Sequence, residues 1–328
     1  MQAAPQEPTQ LDAHGGPRPH RAACYAMGTR FELLLACESE TRALAAAEAA
    51  LAVIEDCDGR YSRFRRDSLV SRINRAGAAE WVRVDPETFE LLELCAQWNA
   101  ETEGAFDVCV GATMDRLRAG PVLANDLSPI PGAGFVLHRE SRSVRLNASS
   151  VALDLGAVAK GHALDLAASA LRELGIESAL LHGGTSSVIT LGAPPGSERG
   201  WSVDLGIGFG GAKATLLRRA LSISAARQND AAGVGAAHVL DPRRGVALEG
   251  PWRAAVAHSS ARAAEAYSTA LLVLAARPGG VDRFLSINEL PRGLECAIVD
   301  GSASVRFHAA QDFFALQPRE PRIDQLQR

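Results

Sequence analysis

Short apolar strand segments and long alanine-rich helical segments alternate along this 328-residue chain without a strict strand–helix–strand rhythm. A parallel doubly wound sheet needs that rhythm, because each parallel pair requires a crossover of a dozen or more residues. The irregular order therefore predicts an α+β fold. Residues 31–36 (FELLLA) read as a buried strand entered from Met27-Gly28-Thr29, and 40–57 carries apolar residues at helical spacing. Residues 61–74 read as a polar loop with a short helix. Asp85-Pro86 is a helix start, with Asp as N-cap and Pro at the first helical position. That helix runs through Trp98 and stops at Gly104. Further strands are expected at 135–137, 143–146, 151–155, 179–181, 188–191, 201–205, 221–223 and 237–240. Helices are expected at 160–174, ended by Gly175, and at 261–276, stopped by Arg277-Pro278. Residues 120–134 read as a loop.

Three segments follow. Residues 1–20 are rich in Pro, Gln and Gly and read as disordered; 21–316 form the folded domain; 317–328 are a loose polar tail. The net charge is −4 with a pI of about 6.1, so no basic field favours nucleic acid. No apolar run reaches the roughly 20 residues that span a bilayer. The N-terminus lacks a charged start followed by an apolar stretch, and a cytoplasmic location without membrane insertion is the expectation. Six cysteines without a CxxC pair read as reduced thiols.

Several segments could carry chemistry. The stretch DLGAVAKG (154–161) lies between an expected strand and a helix, where small residues let backbone N–H groups approach an anion. It lacks the glycines of a P-loop or a dinucleotide fingerprint. Lys160 falls in the first helical turn, where a cation opposes the macrodipole. An anionic ligand would reverse that penalty; a solvated lysine after a tight turn is the alternative. Glu265 and Thr269 are four apart and share one helix face, which offers a carboxylate and a hydroxyl to a magnesium ion. Glu265 on the solvent edge of an amphipathic helix is the alternative. His238, in HVLDPRRG (238–245), is a candidate general base or a structural histidine. Gly183-Gly184 signals close backbone approach, by a ligand or by another strand. Gly104-Ala105-Phe106-Asp107 is a ligand wall or a helix exit.

Taken in order, Met27-Gly28-Thr29, SLVSRIN (68–74), Gly104-Ala105-Phe106-Asp107, DLGAVAKGHALD (154–165), Gly183-Gly184, HVLDPRRG and AEAYSTA (264–270) resemble the FAD:protein FMN transferase family, also called the ApbE or thiamine-biosynthesis lipoprotein family. The resemblance implies a T-fold-like α+β architecture of mixed sheets and packed helices, with an FAD cleft between subdomains. It implies magnesium-dependent transfer of FMN from FAD to a Ser or Thr hydroxyl of a target flavoprotein, with release of AMP. By motif, Met27, Ala105, Phe106, Asp107, Asp154, Lys160 and Val239 would line the FAD site. The Ala157 carbonyl, Glu265 and Thr269 would hold magnesium, and His238 would be the general base.

Four departures stand out. Glu265 replaces the family's usual Asp. Gly183-Gly184-Thr185 stands for GGD, and Ser224-Ala225-Ala226-Arg227-Gln228 stands for a TSG-acid-Tyr segment. Asp241-Pro242-Arg243-Arg244-Gly245 stands for DPxTG. The alternative they imply is a weakened relative that binds FAD without transferring FMN.

Overall fold

The computed structural model describes residues 19–119, 134–226, 239–287, 294–300, 302, 304–308 and 314–316. The first half holds β1 (His20–Ala26), β2 (Thr29–Ala36), α1 (Glu40–Tyr61), α2 (Leu69–Ala76), β3 (Val82–Arg83), α3 (Pro86–Glu101), α4 (Gly111–Ala119), β4 (Phe135–His138) and β5 (Ser143–Leu146). Then follow α5 (Ala159–Glu173), β6 (Ser178–Gly183), β7 (Ser187–Leu191), β8 (Trp201–Asp204), β9 (Ala212–Leu216) and β10 (Ala220–Ala225). The last part holds β11 (Leu240–Asp241), β12 (Val246–Ala247), β13 (Arg253–His258), α6 (Ala261–Ala275), α7 (Gly280–Ile287), β14 (Glu295–Val299), β15 (Val305–His308) and β16 (Phe314–Leu316). The fold is α+β, as the irregular element order predicts.

The organising layer is an eight-stranded antiparallel sheet in the order β1-β2-β6-β7-β10-β13-β14-β15. Period-two alternation sorts its side chains between two cores. On β13, Ala254 and Val256 face one core while Ala255 and Ala257 face the other. Cys296 and Ile298 on β14 join the first core, and Ala297 and Val299 the second. The first, larger core packs against α1, α5 and α6; the second packs under the β8-β9-β16 sheet. A small β3-β5-β4 sheet lies beside α2.

Helix ends follow the local chemistry. Ser39, Ser68, Asp85 and Ser260 each accept a backbone N–H as N-caps of α1, α2, α3 and α6. A carboxylate from α5 adds to the last of these. Asp165 accepts from Ser260 Oγ (2.7 Å), the Ala261 N–H (2.7 Å) and the Arg262 N–H (3.1 Å). Asp165→Ala should therefore cost about 2 kcal/mol. Urea unfolding should show a lower midpoint at unchanged slope, and Asp165→Asn, which keeps one acceptor oxygen, should recover part of the loss.

Two expectations are corrected, and one strand, β13, was not anticipated. Residues 151–155 do not form a strand; an isolated bridge joins Val110 to Ala152. The Asn74 side chain accepts from the Leu153 N–H (2.7 Å) and donates to its carbonyl (3.0 Å), so a side chain takes the groups a ladder would use. His20, expected as the last residue of the disordered start, instead begins edge strand β1 (His20–Ala26). The alanine-rich strand β13 occupies a sheet interior although alanine is a poor strand former. The expected disordered start before residue 19 and the tail 317–328 lie outside the described residues. So does most of the expected 120–134 loop. All six cysteines are unpaired. Among the described residues no helix is long and apolar enough to cross a membrane.

Candidate active site at the head of α5

Helix α5 begins without a side-chain cap of its own: Val158 holds the N-cap position and offers no acceptor. The missing acceptor comes from α6. Glu265 Oε2 accepts the Gly161 N–H at 2.8 Å, and Glu265 Oε1 accepts from Ser187 Oγ at 2.5 Å. Lys160 Nζ lies 2.9 Å from the same Oε1. The Glu265 side chain is only 3% exposed and that of Lys160 23%. The solvent-edge reading of Glu265 is thereby set aside, and so is a solvated Lys160. The anion that compensates Lys160 in the first helical turn is an internal carboxylate.

The close approach of α6 depends on Gly161. A Cβ there would lie 2.4 Å from the Ala261 carbonyl oxygen and 2.7 Å from the Arg262 nitrogen. Beyond Glu265, hydroxyls form the floor. Ser268 Oγ meets Ser222 Oγ at 3.0 Å and Ser224 Oγ at 2.8 Å, and Ser224 Oγ reaches Thr269 Oγ1 at 3.5 Å.

The other motifs are tied together by polar contacts. Arg63, 7% exposed, donates to Asp154 Oδ2 (3.1 Å) and the Gly111 carbonyl (3.1 Å), and pairs with Asp115. Asp154 Oδ1 accepts the Gly156 N–H at 2.9 Å, which shapes the turn carrying Ala157 into α5. The Asp154 N–H donates to the Val108 carbonyl, so Ala105-Phe106-Asp107 runs beside this turn. Ala105 and Phe106 are fully buried, and the Phe106 carbonyl accepts from Asn99. Arg243, in the segment after Val239, donates to the Glu103 carbonyl and lies 3.5 Å from where a Gly104 Cβ would stand. Val239 is half-buried against the first core, and its carbonyl accepts the Leu248 N–H.

Met27 and Gly28 form the two-residue turn between β1 and β2, both at positive φ (50° and 71°), as this tight hairpin requires. The Met27 N–H donates to Asp58 Oδ1. Gly183-Gly184 is closely approached by strand β2: a Cβ on Gly183 would meet the Phe31 ring, and one on Gly184 would meet Thr29 Oγ1 at 2.6 Å. His238, Arg227 and Gln228 lie outside the described residues.

Asp107 carries the electrostatic signature of the site. It is buried, and burial pushes its carboxyl up to about 6, although the Cys109 N–H donates to it. Unfolding returns it to the ordinary value of 3.8. The folded form holds its proton more tightly, so this contribution to stability is complete below about pH 4 and is lost as pH rises through about 6. Asp107→Asn should therefore unfold like the wild type near pH 4 and be more stable by about 2 kcal/mol at pH 7.5. Urea titrations at the two pH values check this. A buried carboxylate kept at such a cost is a common mark of a functional site.

A cavity of about 470 Å³ opens on the far side of α6, lined in part by Trp98, His258, Tyr267 and Phe284. Ala263 and Tyr267, which reach it, stand two residues from Glu265 and hence on the opposite helix face. Of the motif residues above, only Tyr267 lines it.

The ApbE family model matches residues 27–286. This chain belongs to the ApbE family. An FAD:protein FMN transferase of Rhodobacter capsulatus is 31% identical over 219 residues, 61% of this chain and 41% of the relative. An FAD:protein FMN transferase of Vibrio cholerae is 29% identical over 136 residues, 38% of this chain and 40% of the relative. The matched regions thus span about two-fifths of these two relatives. Among solved structures, the ApbE protein of Thermotoga maritima superposes with a TM-score of 0.75 at 24% identity, covering 88% of this chain and 97% of that one. The flavinyl transferase ApbE of Pseudomonas stutzeri, in its apo form, gives 0.71 at 21% identity, covering 88% and 95%. At these identities the structural likeness speaks to the fold.

The magnesium set that the ApbE resemblance implies does not fit the donors found here. Its one carboxylate, Glu265, is already neutralised by Lys160, and both of its oxygens are engaged, by Ser187 and by the Gly161 N–H. Thr269 contributes a neutral hydroxyl within reach of Ser224, and Ala157 a neutral carbonyl. Among the described residues no group of three or more His, Cys, Asp or Glu side chains could hold a metal ion. Magnesium favours near-octahedral oxygen shells around carboxylates or phosphates, and a lysine ammonium 2.9 Å from the carboxylate opposes a second cation there.

Sequence reasoning missed Arg63, Ser187 and Asp165 as parts of this ApbE site. Arg63 and Ser187 act through contacts 91 and 78 residues away in sequence, and no local pattern reveals such contacts. Asp165 lies inside the DLGAVAKGHALD motif, but its role as a cap on α6 depends on how α5 and α6 pack.

Proposed function

We propose that this chain is an FAD:protein FMN transferase, which moves FMN from FAD onto a Ser or Thr hydroxyl of a target protein and releases AMP. The observation that carries the reading is Lys160, fixed in the first turn of α5 inside a segment that the ApbE family model spans. A compact ammonium at a helix N-terminus is suited to a pyrophosphate. In the transfer, the acceptor oxygen attacks the FMN phosphorus and the pyrophosphate bond to AMP breaks. The bridging oxygen leaves with AMP, and the acceptor proton passes to a base, for which His238 is our candidate. Lys160 stabilises the charge that builds on the departing phosphate. Met27, Asp107, Asp154 and Val239 supply the walls of the flavin site, with the fully buried Ala105 and Phe106 packed behind them. Magnesium, the implied partner of Ala157, Glu265 and Thr269, takes no part in the step as drawn.

A second reading, an FAD carrier without transfer, draws support from the carboxylate that Lys160 already neutralises and from Thr185 in place of the family's acid. Flavin fluorescence titration tests the shared premise. FAD should bind more tightly than FMN or AMP alone, since the site must hold both halves of the dinucleotide. Equal affinity for FAD and FMN would remove the adenylate half from the site and with it the transferase reading.

A further inference from the structure

The chain uses arginine almost throughout: of its 34 Lys and Arg residues only Lys160 and Lys213 are lysine. Lysine at 160 is thus a departure from the chain's own habit. A point-like ammonium fits the space beside Glu265 Oε1, where a planar guanidinium would need a wider fork. The carboxylate it meets performs two further tasks. It takes the N–H of the third residue of α5, which has no side-chain cap, and it anchors Ser187 on β7. Three elements, α5, α6 and β7, therefore converge on one buried carboxylate whose two oxygens accept three donors.

We infer that Glu265 in this chain is an internal counter-anion and long-range N-cap of α5, positioning Lys160 for the substrate, and not a magnesium ligand. It follows that flavin binding does not depend on magnesium through Glu265. The glutamate in place of the family's aspartate supplies the extra methylene needed to reach Ser187, Lys160 and the Gly161 N–H together. The statement about flavin binding rests on the proposed function; the role of Glu265 as a cap does not.

Two measurements test the cap without flavin. Amide hydrogen exchange followed by mass spectrometry should show residues 159–163 exchanging at least fivefold faster in Glu265→Ala than in wild type. Glu265→Gln, which retains one acceptor oxygen, should restore most of the protection. Unchanged exchange in both variants would overturn the cap. Manganese titration followed by electron paramagnetic resonance should give wild type and Glu265→Gln affinities within twofold of each other. A tenfold loss in Glu265→Gln would make Glu265 a metal ligand and overturn the inference. If Glu265→Ala does not fold, the exchange comparison of Glu265→Gln with Glu265→Asp takes its place, and the shorter aspartate should lose protection.

With FAD present, its dissociation constant in magnesium and in EDTA should agree within twofold. A tenfold tightening by magnesium that disappears in Glu265→Gln would contradict the inference. Absence of FAD binding in both buffers would instead reject the flavin reading, with exchange and manganese binding still deciding the role of Glu265.

Discussion

Gly161→Ala is expected to lower stability by roughly 3 kcal/mol, at the upper end of what overpacking a tight interface costs. The new methyl would sit 2.4 Å from the Ala261 carbonyl oxygen, 2.5 Å from its carbon and 2.7 Å from the Arg262 nitrogen. All three are backbone atoms in the first turn of α6, so no side chain can swing aside. The helices must separate, and separation also stretches the Gly161–Glu265 bond and the Asp165 cap, both of which cross the same contact. For a domain of this size the loss corresponds to about 5 °C in melting temperature. Gly59→Ala is the matched control. That glycine lies within α1 with nothing within 4 Å of an added Cβ, so alanine should stabilise by about 0.5–1 kcal/mol. Thermal unfolding of the two variants should move in opposite directions.

Lys160→Met is expected to have a comparable effect on stability and a larger one on the proposed substrate. It keeps the apolar stem and removes the charge that faces Glu265. A carboxylate that is 3% exposed would keep Ser187 and the Gly161 N–H but lose its counter-ion. Breaking a buried pair from one side typically costs 3–5 kcal/mol, and partial exposure of the lysine places the expectation at the lower end, about 3 kcal/mol. The double variant Lys160→Met with Glu265→Gln removes both charges and should be markedly more stable than Lys160→Met alone, which a double-mutant cycle by urea unfolding would reveal. For FAD, loss of a charge-assisted contact of ~1.5–3 kcal/mol predicts a dissociation constant raised tenfold to more than a hundredfold. Unchanged FAD affinity in the folded variant would remove Lys160 from the site.

Local chemistry made much of this fold legible. Asp85-Pro86 opens α3, Gly175 ends α5 at φ 76°, and the apolar spacing of 261–276 marks α6. Strand β13 was not legible, because half of Arg253–His258 is alanine and the segment owes its conformation to pairing with β10 and β14. The site divides in the same way. Asp154, Lys160 and Glu265 stand in recognisable motifs, and the four-residue spacing of Glu265 and Thr269 correctly put both on α6. That Glu265 turns toward Lys160 depends on the α5–α6 approach that Gly161 allows, and that approach is a tertiary fact. The two glycines at 183 and 184 left ligand and strand open as partners; the Phe31 and Thr29 side chains of β2 pack against them.

Group transfer can be read from the intact mass of an acceptor. The protein would be incubated with FAD and a threonine-bearing acceptor peptide, with AMP measured in parallel. The peptide should gain the mass of one FMN for each AMP released, and Lys160→Met should lose both signals together. Tight binding of FAD with no mass gain and no AMP would contradict the transfer and leave a flavin-binding protein.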